Sequence, residues 1–191
     1  GGSIWKRMIF FALPILLGNL FQQLYNTVDS LIVGNFLGSS ALAAVTSSGS
    51  LTFMMVGFLN GISSGAGVVA ATFFGAGDRG NLHRTVHTMV AFGLAFGLVM
   101  TLLGALLSPQ ILSWMDTPES VMEEAVTYLQ IYFSGSLGLV MYNIFVGILQ
   151  AVGDSRHPLY YLIFSSFLNL VLDLLFIGVF HMGVGGAAIA T

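Results

Sequence analysis

Long apolar segments, separated by short polar connections, recur along all 191 residues of the chain. Each segment is long enough to cross a hydrocarbon core about 30 Å thick, because a helix needs about 20 residues to do so. Five complete spans are predicted, at about Met8–Phe36, Leu51–Phe74, Val86–Leu107, Val126–Gln150 and Pro158–Phe180. The final residues, GVGGAAIAT, predict the opening turns of a sixth helix. The pattern is typical of an all-α polytopic membrane protein.

The composition excludes several classes of protein. The chain is 56% hydrophobic and only 7% charged, far outside the range of a soluble domain. It has no cysteine, which excludes disulfides, thiolate metal sites and cysteine nucleophiles. No nucleophile–base pair, phosphate-binding loop or nucleic-acid surface is visible, so neither an enzyme nor a nucleic-acid partner is predicted. Gly1-Gly2-Ser3 resembles an engineered linker, and residues 1–7 are predicted to precede the first span.

The basic residues all fall on one side of the predicted bundle. Lys6 and Arg7 precede the first span, Arg79 and Arg84 lie between the second and third, and Arg156 lies between the fourth and fifth. Cytoplasmic connections of membrane proteins carry the excess of lysine and arginine. The N-terminus is therefore predicted to lie in the cytoplasm.

The first span carries a stripe of polar side chains. At 100° per residue these positions fall within one arc about 120° wide. The members of the stripe are Asn19, Gln22, Gln23, Asn26, Asp29 and Ser30. The stripe is predicted to face the bundle interior or a wet cavity rather than lipid.

Pro14 lies inside the same span and is predicted to bend it. Proline removes one backbone hydrogen bond and clashes with the preceding helical turn. The bend is either a static kink that shapes the bundle or a hinge, and the sequence leaves both open.

Glycines recur at spacings of four in two spans. The first set is Gly57, Gly61 and Gly65, and the second is Gly93 and Gly97. Such faces let helix backbones approach closely in lipid, where packing drives association. Both sets are predicted to pack tightly against neighbouring helices.

Two acids lie within apolar spans and at compatible depths. Asp173 is about 22 Å along its helix from Pro158, and Asp29 is about 32 Å from Met8, so both lie in the outer half of the membrane. Asn169 lies one turn before Asp173 and shares its face. An acid in the membrane costs on the order of 3 kcal/mol and is seldom without function. The set predicts a site for a proton or Na⁺, and its oxygen ligands argue against a transition metal. The alternative is a hydrogen-bonded polar cluster that fixes helix register.

The fourth span carries its own polar face. Its members recur at spacings of four and seven residues and are Tyr132, Ser136, Asn143 and Gln150.

Several motifs resemble the N-terminal half of a multidrug and toxic compound extrusion (MATE) transporter of the DinF-like type. The first is ALPILLGNLFQQLYNTVDSLIVGNFLGSSALAAV, followed by GAGD after the second span and QAVGDSRHP after the fourth. The others are NLVLD in the fifth span and MGVGGAAIAT at the end of the chain. The similarity covers about Met8 to Thr191.

The resemblance implies a fold of twelve helices in two six-helix lobes, which rock between outward- and inward-open states. Members exchange Na⁺ or H⁺ for organic cations and other drugs, and need no cofactor besides the coupling ion. The implied N-lobe ion site consists of Asp29, Asn169, Asp173 and Thr191, with Tyr25 and Asn143 in support and Pro14 in the bent first helix. The implied location is the cytoplasmic (inner) membrane of a bacterium or archaeon.

The resemblance assigns residues 8–191 to one lobe, with its sixth helix barely begun. The expected partners are organic cations, the lipid bilayer and a C-terminal lobe that this chain does not contain. Two alternatives stay open. The chain is a non-transporting membrane fragment or folding intermediate of such a protein, or it belongs to the related flippases of lipid-linked precursors, whose cavities tend toward cationic residues.

Overall fold

The computed structural model describes residues 4–191, apart from the side chain of Ser47, and the predicted linker Gly1–Ser3 lies outside the described residues. The described residues are almost entirely helical. The elements are α1 (Ile4–Gly75), α2 (Arg79–Trp114), α3 (Glu119–Ser134), α4 (Ser136–Ala151), α5 (Arg156–Asp173), a π-helical segment (Leu174–Val179) and α6 (Gly183–Ala190). The first helix thus begins four residues before Met8, where the first span was predicted to start.

Helix α1 consists of two halves that fold back on each other at Gly38. The backbone of Gly38 is not helical, with φ 90° and ψ −177°. A Cβ added to Gly34 would lie 3.3 Å from Leu42 Cδ2, although residues eight apart in a straight helix are separated by about 12 Å. Asn19 and Asn60 line one cavity, so residues 4–37 and 39–75 form a hairpin.

The prediction of a loop between the first and second spans is wrong. Residues 39–50 are helical, because the alanine-rich sequence that follows Gly38 favours a helix and one glycine is enough to reverse the chain.

The fourth span is a bent pair of helices rather than one straight helix. Helix α3 begins at Glu119, earlier than the predicted Val126, and α4 follows it at an angle of 49° across Gly135. The hydroxyl groups of Thr101 and Ser136 are 3.0 Å apart and tie α2 to the start of α4. Four helical segments of the described residues are long and apolar enough to cross a membrane, and the bent pair makes a fifth. The prediction of five spans and the start of a sixth helix is confirmed.

Two apolar clusters hold the bundle together. The larger joins the second half of α1 to α2, α3 and α4. The smaller, called here the outer cluster, joins α1, α3, the π segment and α6. Its buried members are Ile32, Val33, Ala41, Tyr128, Ile177, Val184, Ala187 and Ala188.

The two predicted glycine faces behave differently. Gly93 and Gly97 pack against α4, where an added Cβ would lie 2.9 Å from Ile144 Cγ1 and 2.6 Å from Leu137 Cδ1, respectively. That part of the prediction is confirmed. The prediction is wrong for Gly57, Gly61 and Gly65, because no atom of the described residues lies within 4 Å of a Cβ placed there. This face of α1 points away from the described helices.

We expect Gly97→Ala to lower the free energy of unfolding by about 1–3 kcal/mol, because overpacking forces α2 away from α4. The added Cβ would lie 3.1 Å from Leu137 Cα, so rotation of the leucine side chain does not relieve the contact. The matched control is Gly138→Ala on α4, where nothing lies within 4 Å and alanine favours the helix. Unfolding by SDS in mixed micelles measures both variants. Equal stabilities would show that α2 and α4 are not in this close contact.

Candidate functional site

Two carboxyl groups from distant parts of the chain meet inside the bundle. Asp29 lies on the first half of α1, and Asp173 is the last residue of α5. Their side chains, called here the carboxyl pair, lie within hydrogen-bonding reach of each other. Asp173 is 0% exposed and Asp29 is half-buried. Two carboxylates this close and this far from water repel each other unless a proton or cation is shared between them.

Asn169 completes a group of polar atoms without protein partners. It lies one turn before Asp173 and is 6% exposed. Five buried atoms have no hydrogen-bond partner among the described residues: Oδ1 of Asp29, both side-chain polar atoms of Asn169 and both carboxyl oxygens of Asp173. Each such atom costs about 1–3 kcal/mol. Four of the five are oxygens, the ligands that a proton or a hard cation prefers.

Thr191 and two tyrosines surround the carboxyl pair. Tyr25 lies one turn before Asp29, and its side chain is close to both Asp29 and Thr191. The Thr191 hydroxyl donates a hydrogen bond to the Ala187 carbonyl at 3.0 Å. The structure therefore brings together four of the predicted residues with Tyr25.

Tyr128 of α3 is a member of the site that the sequence analysis did not identify. It is buried, its side chain approaches Asp29, Tyr25 and Thr191, and its ring stacks on that of Tyr132 with centroids 6.2 Å apart. The available signal was its spacing, since Tyr128 precedes Tyr132 by four residues and extends the polar face of the fourth span by one turn.

The helix changes its winding directly after Asp173. Over Leu174–Val179 the turns are π-helical, and the Phe180 N–H donates to the Leu175 carbonyl at 2.9 Å. Widened turns of this kind are rare and often lie at functional sites. Here the π segment buries Ile177 in the outer cluster, one turn beyond Asp173.

The outer cluster closes the carboxyl pair on the side away from the basic residues. Ile32 and Val33 lie one turn beyond Asp29, and Ile177 lies one turn beyond Asp173. All three are buried. Apolar side chains of the described residues therefore lie one turn beyond each acid on this side.

A polar cavity lies on the other side of the carboxyl pair, toward the basic residues. It has a volume of about 360 Å³ and is lined by α1, α4 and α5. Pro14, Asn19 and Gln22 line it from the first half of α1. Gln22 is about 10 Å along the helix from Asp29, so the polar stripe leads from the cavity to the carboxyl pair.

Asn143 belongs to this polar cavity. Its Nδ2 donates to the Leu139 carbonyl at 2.8 Å, and its own backbone carbonyl accepts from Ser63 Oγ at 2.6 Å. None of these hydrogen bonds reaches the carboxyl pair. The bend at Gly135 divides the predicted polar face of the fourth span, since Tyr132 stacks on Tyr128 before it and Asn143 lines the polar cavity after it.

Part of the polar stripe on α1 is open. Gln23, Asn26 and Ser30 are exposed, and their hydrogen bonds stay within α1. None of the described helices packs against this edge, so of the two environments predicted for the stripe, the bundle interior and a wet cavity, the first does not apply here. The opposite edge turns inward and carries Asp29.

Comparison with known proteins identifies the family. The MatE family model matches residues 14–175. Two probable multidrug resistance proteins of Bacillus subtilis (strain 168), YpnP and YoeA, are 36% and 34% identical over 100% and 99% of this chain. A solved outward-facing structure of a multidrug resistance MATE family transporter of the MOP superfamily superposes on the whole chain with a TM-score of 0.92 and 27% identity.

The chain has the fold of one lobe of that solved transporter. It belongs to the MatE family, and it covers 43% and 42% of the lengths of YpnP and YoeA and 42% of the solved transporter. The resemblance predicted from its motifs, to the N-terminal half of a MATE transporter, is confirmed.

Proposed function

We propose that this lobe, residues 8–191, binds the coupling ion of a multidrug efflux antiporter that exports organic cations in exchange for H⁺ or Na⁺. The observation that carries the proposal is the group of five buried polar atoms on Asp29, Asn169 and Asp173 that have no partner among the described residues. A fold that leaves these atoms unpaired loses stability, and a bound proton or cation restores it.

The proposed mechanism is competition between the coupling ion and the drug. When the carboxyl pair is ionised, its negative charge favours binding of an organic cation in the space beside the open polar edge of α1. Binding of a proton or Na⁺ to the pair removes that charge and weakens the hold on the cation. The open polar edge of α1, with Gln23 and Asn26, supplies a wall for that space. The drug is then released where the transporter is open.

The chemistry of this lobe favours a cationic cargo. The membrane-spanning interior carries buried acids, while all five lysines and arginines lie near helix ends on one side. A cavity for an anionic lipid-linked precursor would need basic side chains in the interior. We propose that the N-terminus lies in the cytoplasm and the lobe in the cytoplasmic (inner) membrane of a bacterium or archaeon, because the basic residues mark the cytoplasmic side.

Asp29→Asn tests the proposal in a full-length transporter that carries this lobe. In proteoliposomes with an imposed Na⁺ or H⁺ gradient, the parent should extrude a cationic dye with one of the two ions. Asp29→Asn should reduce that coupled efflux at least about 10²-fold, the scale on which loss of an essential proton-transfer group acts. The rate of dye efflux under each gradient separates the two ions.

The matched control is Glu123→Gln, which removes one carboxylate from an exposed position on α3. It should transport as the parent does. If Asp29→Asn also transports normally under both gradients, the carboxyl pair does not couple transport and the proposal fails.

A further inference from the structure

A second cavity lies on a different face of the lobe, between the end of α1 and the start of α2. It has a volume of about 430 Å³, within the usual range for small-molecule sites. Its inner part is apolar and is lined by Ile62, Phe92 and Ile144, while Val69 and Phe73 lie closer to the turn between the two helices. We call it the α1–α2 groove. On α1 its lining lies about 150° around the helix from the polar-cavity residue Asn60, so the two cavities are separate.

The mouth of the α1–α2 groove is polar and basic. Arg84, Asn81, Thr85 and Thr88 line it at the first turns of α2. Among the described residues no carboxylate lies within ion-pair distance of Arg84. The nearby carboxylate of Asp78 accepts two hydrogen bonds from Asn81, at 3.0 and 2.7 Å, which hold its pKa below its ordinary value and tie it to the start of α2.

The polarity of the groove changes with depth as it does in a phospholipid. Arg84 and Phe92 are about 12 Å apart along α2. The groove therefore passes from a basic mouth to an apolar interior over roughly the length of a lipid headgroup and the first few carbons of its acyl chain. The basic side of the lobe faces the leaflet that is rich in anionic lipids in the orientation proposed above. Basic pockets between spans on this side bind anionic headgroups.

We infer that the α1–α2 groove binds an anionic phospholipid of the cytoplasmic leaflet. The phosphate lies at Arg84, with the Thr85 and Asn81 side chains beside it. One acyl chain runs inward past Val69 and lies against Ile62 and Phe92. The site is independent of the carboxyl pair and of the drug that the transporter carries, so it stands or falls separately from the proposed function.

Lipid titration tests the inference in a full-length transporter that carries this lobe. The protein is purified, stripped of lipid in detergent, and titrated with phosphatidylglycerol or phosphatidylcholine while native mass spectrometry counts the bound lipids. Arg84→Ala should weaken phosphatidylglycerol binding about five-fold, the contribution of one basic residue near an anionic membrane surface. Val69→Trp, which fills the groove without changing charge, should weaken it at least as much. Phosphatidylcholine should bind more weakly than phosphatidylglycerol to the parent.

Two matched controls separate the groove from general attraction. Arg79→Ala removes the same charge from a residue outside the groove lining, and Leu94→Trp introduces the same indole ring on the exposed opposite face of α2. Both should leave phosphatidylglycerol binding unchanged, and excess inorganic phosphate should not displace the lipid.

Four outcomes would overturn the inference. Equal losses in Arg84→Ala and Arg79→Ala would show diffuse attraction to the basic surface. Normal binding by Val69→Trp would show that no acyl chain enters the groove, and displacement by inorganic phosphate would reduce the site to a phosphate site. A parent protein that retains no phosphatidylglycerol would show that another protein segment covers the groove.

Discussion

Asp173→Asn is expected to abolish drug efflux and, at the same time, to stabilise the protein. Asparagine keeps the shape of the side chain, can donate a hydrogen bond to Asp29, and removes one of two adjacent acids at a position, Asp173, that is 0% exposed. Relief of a buried charge cluster stabilises proteins by about 1–4 kcal/mol. Efflux should fall to the level of cells without the transporter, because only a carboxyl group can exchange a proton or cation during the cycle. Dye extrusion and thermal unfolding in detergent give the two readouts.

The two readouts together distinguish a functional site from a structural one. A polar cluster that merely fixes helix register would lose stability in Asp173→Asn and keep its transport. A coupling site shows the opposite combination, because functional sites are often maintained at a cost in stability. Asp116→Asn is the matched control, since it makes the same change in the exposed turn between α2 and α3 and should alter neither readout.

The meeting of Asp29 with Asp173 was predictable because acids in apolar helices are rare and constrained. Each acid must face inward, and the rise of 1.5 Å per residue sets its depth, so two inward acids at similar depth tend to meet. Asn169 follows from its spacing on the same face. The proximity of these polar residues is thus encoded in a few positions, and helical geometry alone accounts for it.

Other features of the site depend on local departures from a straight helix. Asn143 shares a regular spacing with Tyr132, yet the 49° bend at Gly135 separates their surroundings. The π segment after Asp173 has the sequence LLFIGV, which is apolar and carries no signal for a change of winding. A period of 3.6 residues describes only helices that stay straight and regular, so it predicts faces within a helix and fails across a bend.

The glycine faces show a different limit. Gly93 and Gly97 have the same spacing as Gly57, Gly61 and Gly65, but only the first set contacts a helix of this chain. Spacing identifies a surface that permits close approach, whereas the identity of the neighbour depends on the whole assembly. The chain spans less than half of the length of the relatives that it matches. The part of a relative that this chain does not cover could supply the neighbour of this open face of α1.

Gly38→Ala is expected to lower the free energy of unfolding by about 1–3 kcal/mol, although no neighbouring atom obstructs the new side chain. The cause is the backbone of Gly38, whose φ of 90° and ψ of −177° lie in a region that is open essentially to glycine alone. Gly38→Asn should be about as destabilising, because asparagine tolerates the left-handed helical region but not this one. Gly49→Ala, a control in the helix that follows, should be neutral or slightly stabilising.

The hairpin at Gly38 also sets the register of the carboxyl pair. Residues 4–37 carry Asp29, and the reversal fixes how far they slide along residues 39–75 and α3. A residue other than glycine at position 38 strains the reversal and should therefore affect transport as well as stability. The loss of efflux in Gly38→Ala should exceed that in Gly49→Ala. SDS-induced unfolding and dye efflux, measured on the same preparations, check both expectations. Parent-like unfolding of both Gly38 variants would mean that the chain reverses without this conformation and that another feature of residues 34–42 holds the hairpin.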